Sequence, residues 1–216
     1  MHSPSGTEPV VRPGLLPDPS FRAILGDVSW RRLPEAVRRR FAWKPAPGSD
    51  IVYAGSMREV RATRIGWLWA QLCRLVGAPI ARWRGTDVPV TVRLSLDRDG
   101  HGIVWERLYH FPGRALVRCV SVRKSVDGGL VEALGSGLGM RLELSELHGE
   151  LHFRSTGYFW QAHRRQVALP AWLAPGEMHV VHADLGAGRF RFRISVTHRL
   201  FGQILYQDGI FAAERS

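Results

Sequence analysis

Three side chains near the C-terminal end have the types and spacing for proton or metal chemistry. His182 and Asp184 are two residues apart, so on a strand they share a face, and His198 ends the next run of alternating residues. Imidazole and carboxylate together serve as an acid–base pair or as ligands for zinc or iron, which makes His182, His198 and Asp184 the candidate catalytic residues. The competing reading is packing, because histidines near strand ends often cap turns or bond to the backbone. His179 falls on the opposite face from His182 and makes a poor chelate with it. No metal and no cofactor are expected. Ser136, in GSGLG, lacks the flanks of a nucleophile elbow and reads as a bend in a strand. Glu132 and Asp184 are the inward acids that paired-carboxylate glycoside hydrolysis would need, and that reading is the remotest.

A hairpin must position the histidines. Phe190, Phe192, Ile194 and Val196 alternate with Arg189, Arg191, Arg193 and Ser195, the pattern of a strand with one face in a core. Gly186, Ala187 and Gly188 connect this run back to residues 178–185. A three-residue loop puts Val180, His182 and Asp184 on the inward side with Phe190 and Phe192. The opposite face, Val181, Ala183 and Leu185, is at least as apolar, and a slip of one residue would exchange the two.

A second polar feature lies earlier. Val88, Val90, Val92, Leu94 and Leu96 alternate with polar residues, Asp99-Gly100 turns the chain, and Ile103, Trp105, Arg107 and Tyr109 continue on the same face. An arginine pointing into a core requires a carboxylate or a polar ligand, since an unpaired buried charge is very costly. Glu132, in the apolar stretch 130–134, is the expected partner; Glu106 faces the other way. The pair reads structurally as an ion pair that fixes register, and functionally as an anchor for the polar head of an apolar ligand. Arg107, Glu132, Trp105, Tyr109, Trp69 and Phe192 are therefore the candidate ligand-binding residues.

The remaining elements follow from caps, periodicity and turns. Asp18-Pro19-Ser20 opens a short helix with Phe21, Ile24 and Leu25. Leu33-Pro34-Glu35 opens another, with Leu33, Val37 and Phe41 on one face and Arg38, Arg39 and Arg40 toward solvent. Residues 51–60 read as a strand with a bulge at Gly55. Residues 63–76, TRIGWLWAQLCRLV, are the strongest helix; it is too short and polar to span a bilayer, and reads as a core or lid element, or as a tryptophan-bearing helix docking on a membrane. Residues 161–176 lack periodicity and are expected to cross one end of the sheet as a loop. The expected fold is mainly β (α+β): an antiparallel meander of about nine or ten strands forming a barrel or strongly curved sheet, with two or three N-terminal helices. Residues 1–16 are expected as a disordered tail and residues 17–216 as a single β-barrel-like domain.

Composition bounds the function. The formal charge is +11, carried almost wholly by arginine: Lys44 and Lys124 are the lysines, and asparagine is absent. Codon bias from a GC-rich genome explains this most economically, an anionic membrane surface comes next, and nucleic acid last, since no basic face with interleaved aromatics emerges. Cys73 and Cys119 have no metal or redox spacing and read as buried free thiols in a reducing compartment. The first fourteen residues lack the apolar run of a signal peptide. The expected location is cytoplasmic, with peripheral contact at the inner membrane as an option.

RWRGTDVPV (82–90), IVWERLYHF (103–111), LPAWLAPG (169–176), HADLGAGRFRF (182–192) and THRLFGQILYQDGIF (197–211) together resemble the bacterial domain of unknown function 4166. The resemblance runs from about Phe21 to the end. It implies a domain found alone or fused to dehydrogenase-like nucleotide-binding modules, and it implies no activity. This chain has no GxGxxG motif after a strand. The residues themselves favour a non-enzymatic domain that binds a lipid or other hydrophobic small molecule in an apolar interior. The alternatives are an enzyme on a hydrophobic substrate, using His182 and His198, and an interaction module with a packed interior.

Overall fold

Strands with alternate apolar residues have a face to bury and an open edge to satisfy, and closure into a barrel does both. The computed structural model describes residues 14–75, 81, 83–162 and 165–213. In chain order the elements are β1 (Leu15–Pro17), α1 (Ser20–Arg32), α2 (Glu35–Phe41), β2 (Trp43–Pro45), β3 (Ile51–Ala62), α3 (Arg64–Leu75) and β4 (Gly85–Leu96). There follow β5 (Gly102–Tyr109), β6 (Val117–Val126), β7 (Gly129–Gly135), β8 (Leu138–Leu147), β9 (Glu150–Ala162), β10 (Arg165–Ala168), a 3-10 turn (Ala171–Leu173), β11 (Glu177–Gly186), β12 (Arg189–His198) and β13 (Gly202–Ala213).

Ten antiparallel strands close the barrel in the order β9, β11, β12, β13, β3, β4, β5, β6, β7, β8, with β8 pairing back to β9. Strand β9 is shared: its first half pairs with β11 and its last four residues with β10, which lies outside the ring. The barrel is therefore splayed at one end between β9 and β11, where the Ser155 hydroxyl accepts the Met178 N–H at 2.8 Å. The inward alternation carries the core. Val88 and Val90 of β4, Leu151 and Phe153 of β9, Met57 of β3 and Met140 of β8 are all essentially inaccessible to water. Truncating a fully buried phenylalanine such as Phe153 to alanine is expected to cost about 3–5 kcal/mol.

The wall faces outward with charge. Arg118 and Arg93 flank Glu106, Arg154 lies by Glu177, and Arg193 by Glu150. Such a wall suits water and not acyl chains. No helix among the described residues is long and apolar enough to cross a membrane.

Helices close the two ends. At one end α1 and α2 lay Phe21, Leu33, Val37 and Phe41 across the mouth, with the Phe41 ring 5.8 Å from that of Phe153. At the other, α3 begins immediately after β3 and packs on β13: the Thr63 N–H donates to the Ile204 carbonyl, and a Cβ on Gly66 would lie 2.1 Å from that same oxygen. Only glycine permits this approach of helix to strand.

Several local expectations are corrected. Arg40 is not solvated: α2 crosses the barrel mouth and turns that side chain onto Asp184 at 3.0 Å, over the Phe190 ring. The irregularity in β3 lies at Met57–Glu59, and Gly55 instead makes room for the Phe211 ring, which a Cβ would meet at 2.5 Å. The segment 161–176 contains β10 and the 3-10 turn. Helix α1 is longer than its opening motif suggests, continuing through a kink at Gly26, where φ is +76°. Leu15 and Leu16, expected in the tail, pair with Pro45 and Lys44. Residues 1–13 of the expected tail, and Val76, the expected end of the third helix, lie outside the described residues.

Candidate functional site

An eight-stranded barrel is just filled by its own side chains, and two more strands leave room that large residues must occupy or leave open. Here the middle of the interior is a polar layer. Arg123 of β6 donates to Glu132 of β7 from Nη2 (2.7 Å) and Nε (3.2 Å). Its guanidinium sits over the rings of Phe153 (4.6 Å) and Trp105 (4.7 Å). Arg107 of β5 donates to the Ser121 hydroxyl at 2.7 Å and stands 3.9 Å from the other Glu132 oxygen. The expected partnership of Arg107 and Glu132 is therefore real but secondary. Arg123 takes the direct bonds, and its inward position at 117, 119, 121, 123 was the signal that could have found it.

Burial alone would raise the Glu132 carboxyl. The charges of Arg123 and Arg107, with hydrogen bonds from Ser121 and Arg123, hold it below the usual carboxylate range. Glu132 is thus an anion, and two guanidiniums face it. Arg107 Nε and Arg123 Nη1 have no partner.

Two cavities flank this layer, and Arg107 borders both. The larger, about 120 Å³, lies toward α3. Trp69, Ala70 and Cys73 of α3 roof it, and Tyr109, Gln207 and Tyr158 lie along its sides. The Tyr109 hydroxyl donates to Gln207 Oε1 at 2.8 Å. The smaller, about 40 Å³, lies toward α1 and α2 among Trp105, Phe192, Phe41 and His182. The six candidate ligand residues thus all border an interior cavity, with Trp69, Tyr109 and Glu132 on the larger, Trp105 and Phe192 on the smaller, and Arg107 on both. Cys73 is pushed up to about 11 by burial, so its thiol stays protonated.

The register separates the histidines. His182 pairs with Phe192, and His198 lies six residues further along β12, about 20 Å away at the rise of a strand. His182 is fully buried, stacked on Phe190 at 4.7 Å and edge-on to Phe41 at 5.0 Å, and its Nδ1 has no partner. Burial first, and then the charge of Arg40, lower its pKa to about 3, so the ring is neutral. Asp184, on the same face, is held by Arg40. At the other end His198 accepts the Leu200 N–H at Nδ1 (3.1 Å) and stacks on Phe201, organising the turn into β13. His179, outside the barrel, meets His152 of the neighbouring strand at 2.9 Å. Among the described residues no three His, Cys, Asp or Glu side chains gather as a metal requires.

A family model for a domain of unknown function, DUF4166, matches residues 33–211. No curated protein matches the sequence. Among solved structures, the crystal structure of "a putative thioesterase II" from Thermobifida fusca YX is similar at 6% identity over 76% of this chain and 78% of that one, with a TM-score of 0.25.

Proposed function

The chain belongs to the DUF4166 family, and for this member we propose the binding of a small amphiphile, an apolar tail with an anionic head, in the cavity between Arg107 and α3. One observation carries the reading: the buried layer holds two guanidiniums against one carboxylate, and Arg123 already occupies that carboxylate. An uncompensated charge out of water is costly, and a carboxylate or phosphate head beside Arg107 would offset it while satisfying the unpartnered Nε. The apolar lining above it suits a hydrocarbon tail. Arg107 anchors the head, Tyr109 and Gln207 lie beside the tail's first carbons, and Trp69 roofs the site.

Size limits what the closed form holds. A cavity of roughly 150 Å³ accepts benzene, so about 120 Å³ takes a head with a few carbons. A longer tail leaves beneath α3 or through the splayed seam near Met178 and Pro175, which also line the cavity. The test is native mass spectrometry of protein purified without detergent, followed by organic extraction. An added mass that extracts as an acidic amphiphile is the expected result. An added mass that proves neutral or cationic would overturn the anchor role of Arg107.

A further inference from the structure

Every exposed tryptophan among the described residues, and the exposed phenylalanine, belongs to one end of the barrel. Trp67 is on α3, Trp160 at the end of β9, Trp172 in the 3-10 turn and Phe201 in the β12–β13 turn. Leu200, 81% exposed, and Trp172, 74% exposed, are the extremes, and Leu68 and Leu72 add the outer face of α3. The antiparallel order forces this grouping. The connections 63–84, 110–116, 136–137, 163–176 and 199–201 all leave the barrel at the α3 end.

Charge follows the same division. Among the described side chains of those five connections stand five arginines, Arg64, Arg84, Arg114, Arg165 and Arg199, and no aspartate or glutamate. At the opposite end acids and bases mix: Asp97 and Asp99 of the β4–β5 turn both contact Lys124, and α1 and α2 carry Asp27 against Arg22 and Glu35 against Arg39. Beside α3, moreover, Arg64, Arg84 and Arg114 line one open recess together with Trp67 and Trp83, and Arg114 lies 4.2 Å over the Trp83 ring. Protruding apolar tips ringed by cations, on connections that carry no acid among their described residues, complement an anionic lipid surface: the tips enter the headgroup and acyl boundary, and the arginines meet phosphates. Tryptophan with arginine is the composition of that boundary.

We propose that the α3 end of the barrel, centred on Trp172, Leu200 and the recess of Arg64, Arg84 and Arg114, docks on the surface of a bilayer containing anionic phospholipid. The proposal stands apart from the interior ligand, since none of Trp172, Leu200 or the three arginines borders the inner cavities. Docking would set the roof of the larger cavity against the lipid.

Flotation of the purified full chain with vesicles tests it. Vesicles of phosphatidylcholine with about 30% phosphatidylglycerol should carry the protein, while pure phosphatidylcholine should carry at least about tenfold less. Trp172→Glu with Leu200→Glu should lower recovery at least about tenfold, and Arg64→Gln with Arg114→Gln should reduce it and its salt sensitivity. Val28→Glu, on an exposed side chain of α1 at the other end, should float like the wild type. The tips are exposed, so these variants are expected to fold, and circular dichroism checks that. Failure of the wild type to float, equal recovery of the Trp172→Glu, Leu200→Glu protein, or an equal loss in Val28→Glu would overturn the proposal. So would a concentration-dependent dimer in sedimentation that the double variant abolishes, since a second copy would then be the occupant.

Discussion

Glu132 keeps its charge in the barrel only because guanidiniums face it, and the two arginines should differ in what their loss does. Glu132→Gln leaves two buried cations without a counter-charge, and Arg123→Met removes the direct partner of a buried anion. Each is expected to cost about 3–5 kcal/mol in urea unfolding. Arg107→Met leaves the pair of Arg123 and Glu132 intact and should cost clearly less, while removing the anchor for an anionic head. His182 gives a second residue-scale prediction. Its folded pKa of about 3 lies below the unfolded value near 6.5, so the unfolded chain binds the extra proton first. The stability it contributes is complete above pH 6.5 and drains as the pH falls toward 3, by about 2 kcal/mol at pH 5. His182→Leu should remove that part of the acid sensitivity, which denaturant midpoints at pH 7 and pH 5 would register. Alternation makes the inward aim of Arg107 readable, because its strand is regular from Ile103 to Tyr109. The same parity holds for Arg123, whose role emerges only once β6 and β7 are in register and bring it opposite Glu132. The separation of His182 and His198 was also implicit, since a hairpin about Ala187 pairs residue 182 with 192 and not with 198.

At the scale of elements, the critical contact is Gly66. A Cβ there would strike the Ile204 carbonyl, so Gly66→Ala must lift the start of α3 from β13. The roof of the larger cavity moves with it. The expected outcome is faster exchange of an interior ligand, with hydrogen exchange of the α3 amides raised while the strands keep their protection. Unchanged exchange in α3 would mean that the helix does not hinge at this contact. The barrel strands and α3 were legible because apolar residues recur at periods of two and of about three and a half over long runs. Strand β10 was not, for all four of its residues are exposed, and it is held by pairing to β9 and by the bond from Arg141 of β8 to Gln166, neither of which leaves an apolar period. Arg40 shows the other limit: helical periodicity gives the face that α2 buries on its neighbours, but a helix lying across a barrel mouth buries part of its flank as well.

For the molecule as a whole, ten strands set a bore wider than the side chains fill, and the two helical ends decide how that space meets the outside. The α1–α2 end is sealed by phenylalanines and an ion pair between Arg40 and Asp184. The α3 end carries the glycine-pivoted helix, the splayed seam and the exposed tryptophans. Barrel closure was legible only as one of two outcomes, a barrel or a strongly curved sheet, because the pairing of β8 with β9 is a local hairpin while that of β9 with β11 crosses an irregular segment. The most direct measurement is a calorimetric titration of the wild type and Arg107→Met with octanoate and with octanol, equal in chain length and different in head. Octanoate should bind the wild type at least about tenfold more tightly than octanol does, and the preference should vanish in Arg107→Met. Equal binding of the two by the wild type, or an undiminished preference in Arg107→Met, would contradict an interior built around an anionic head.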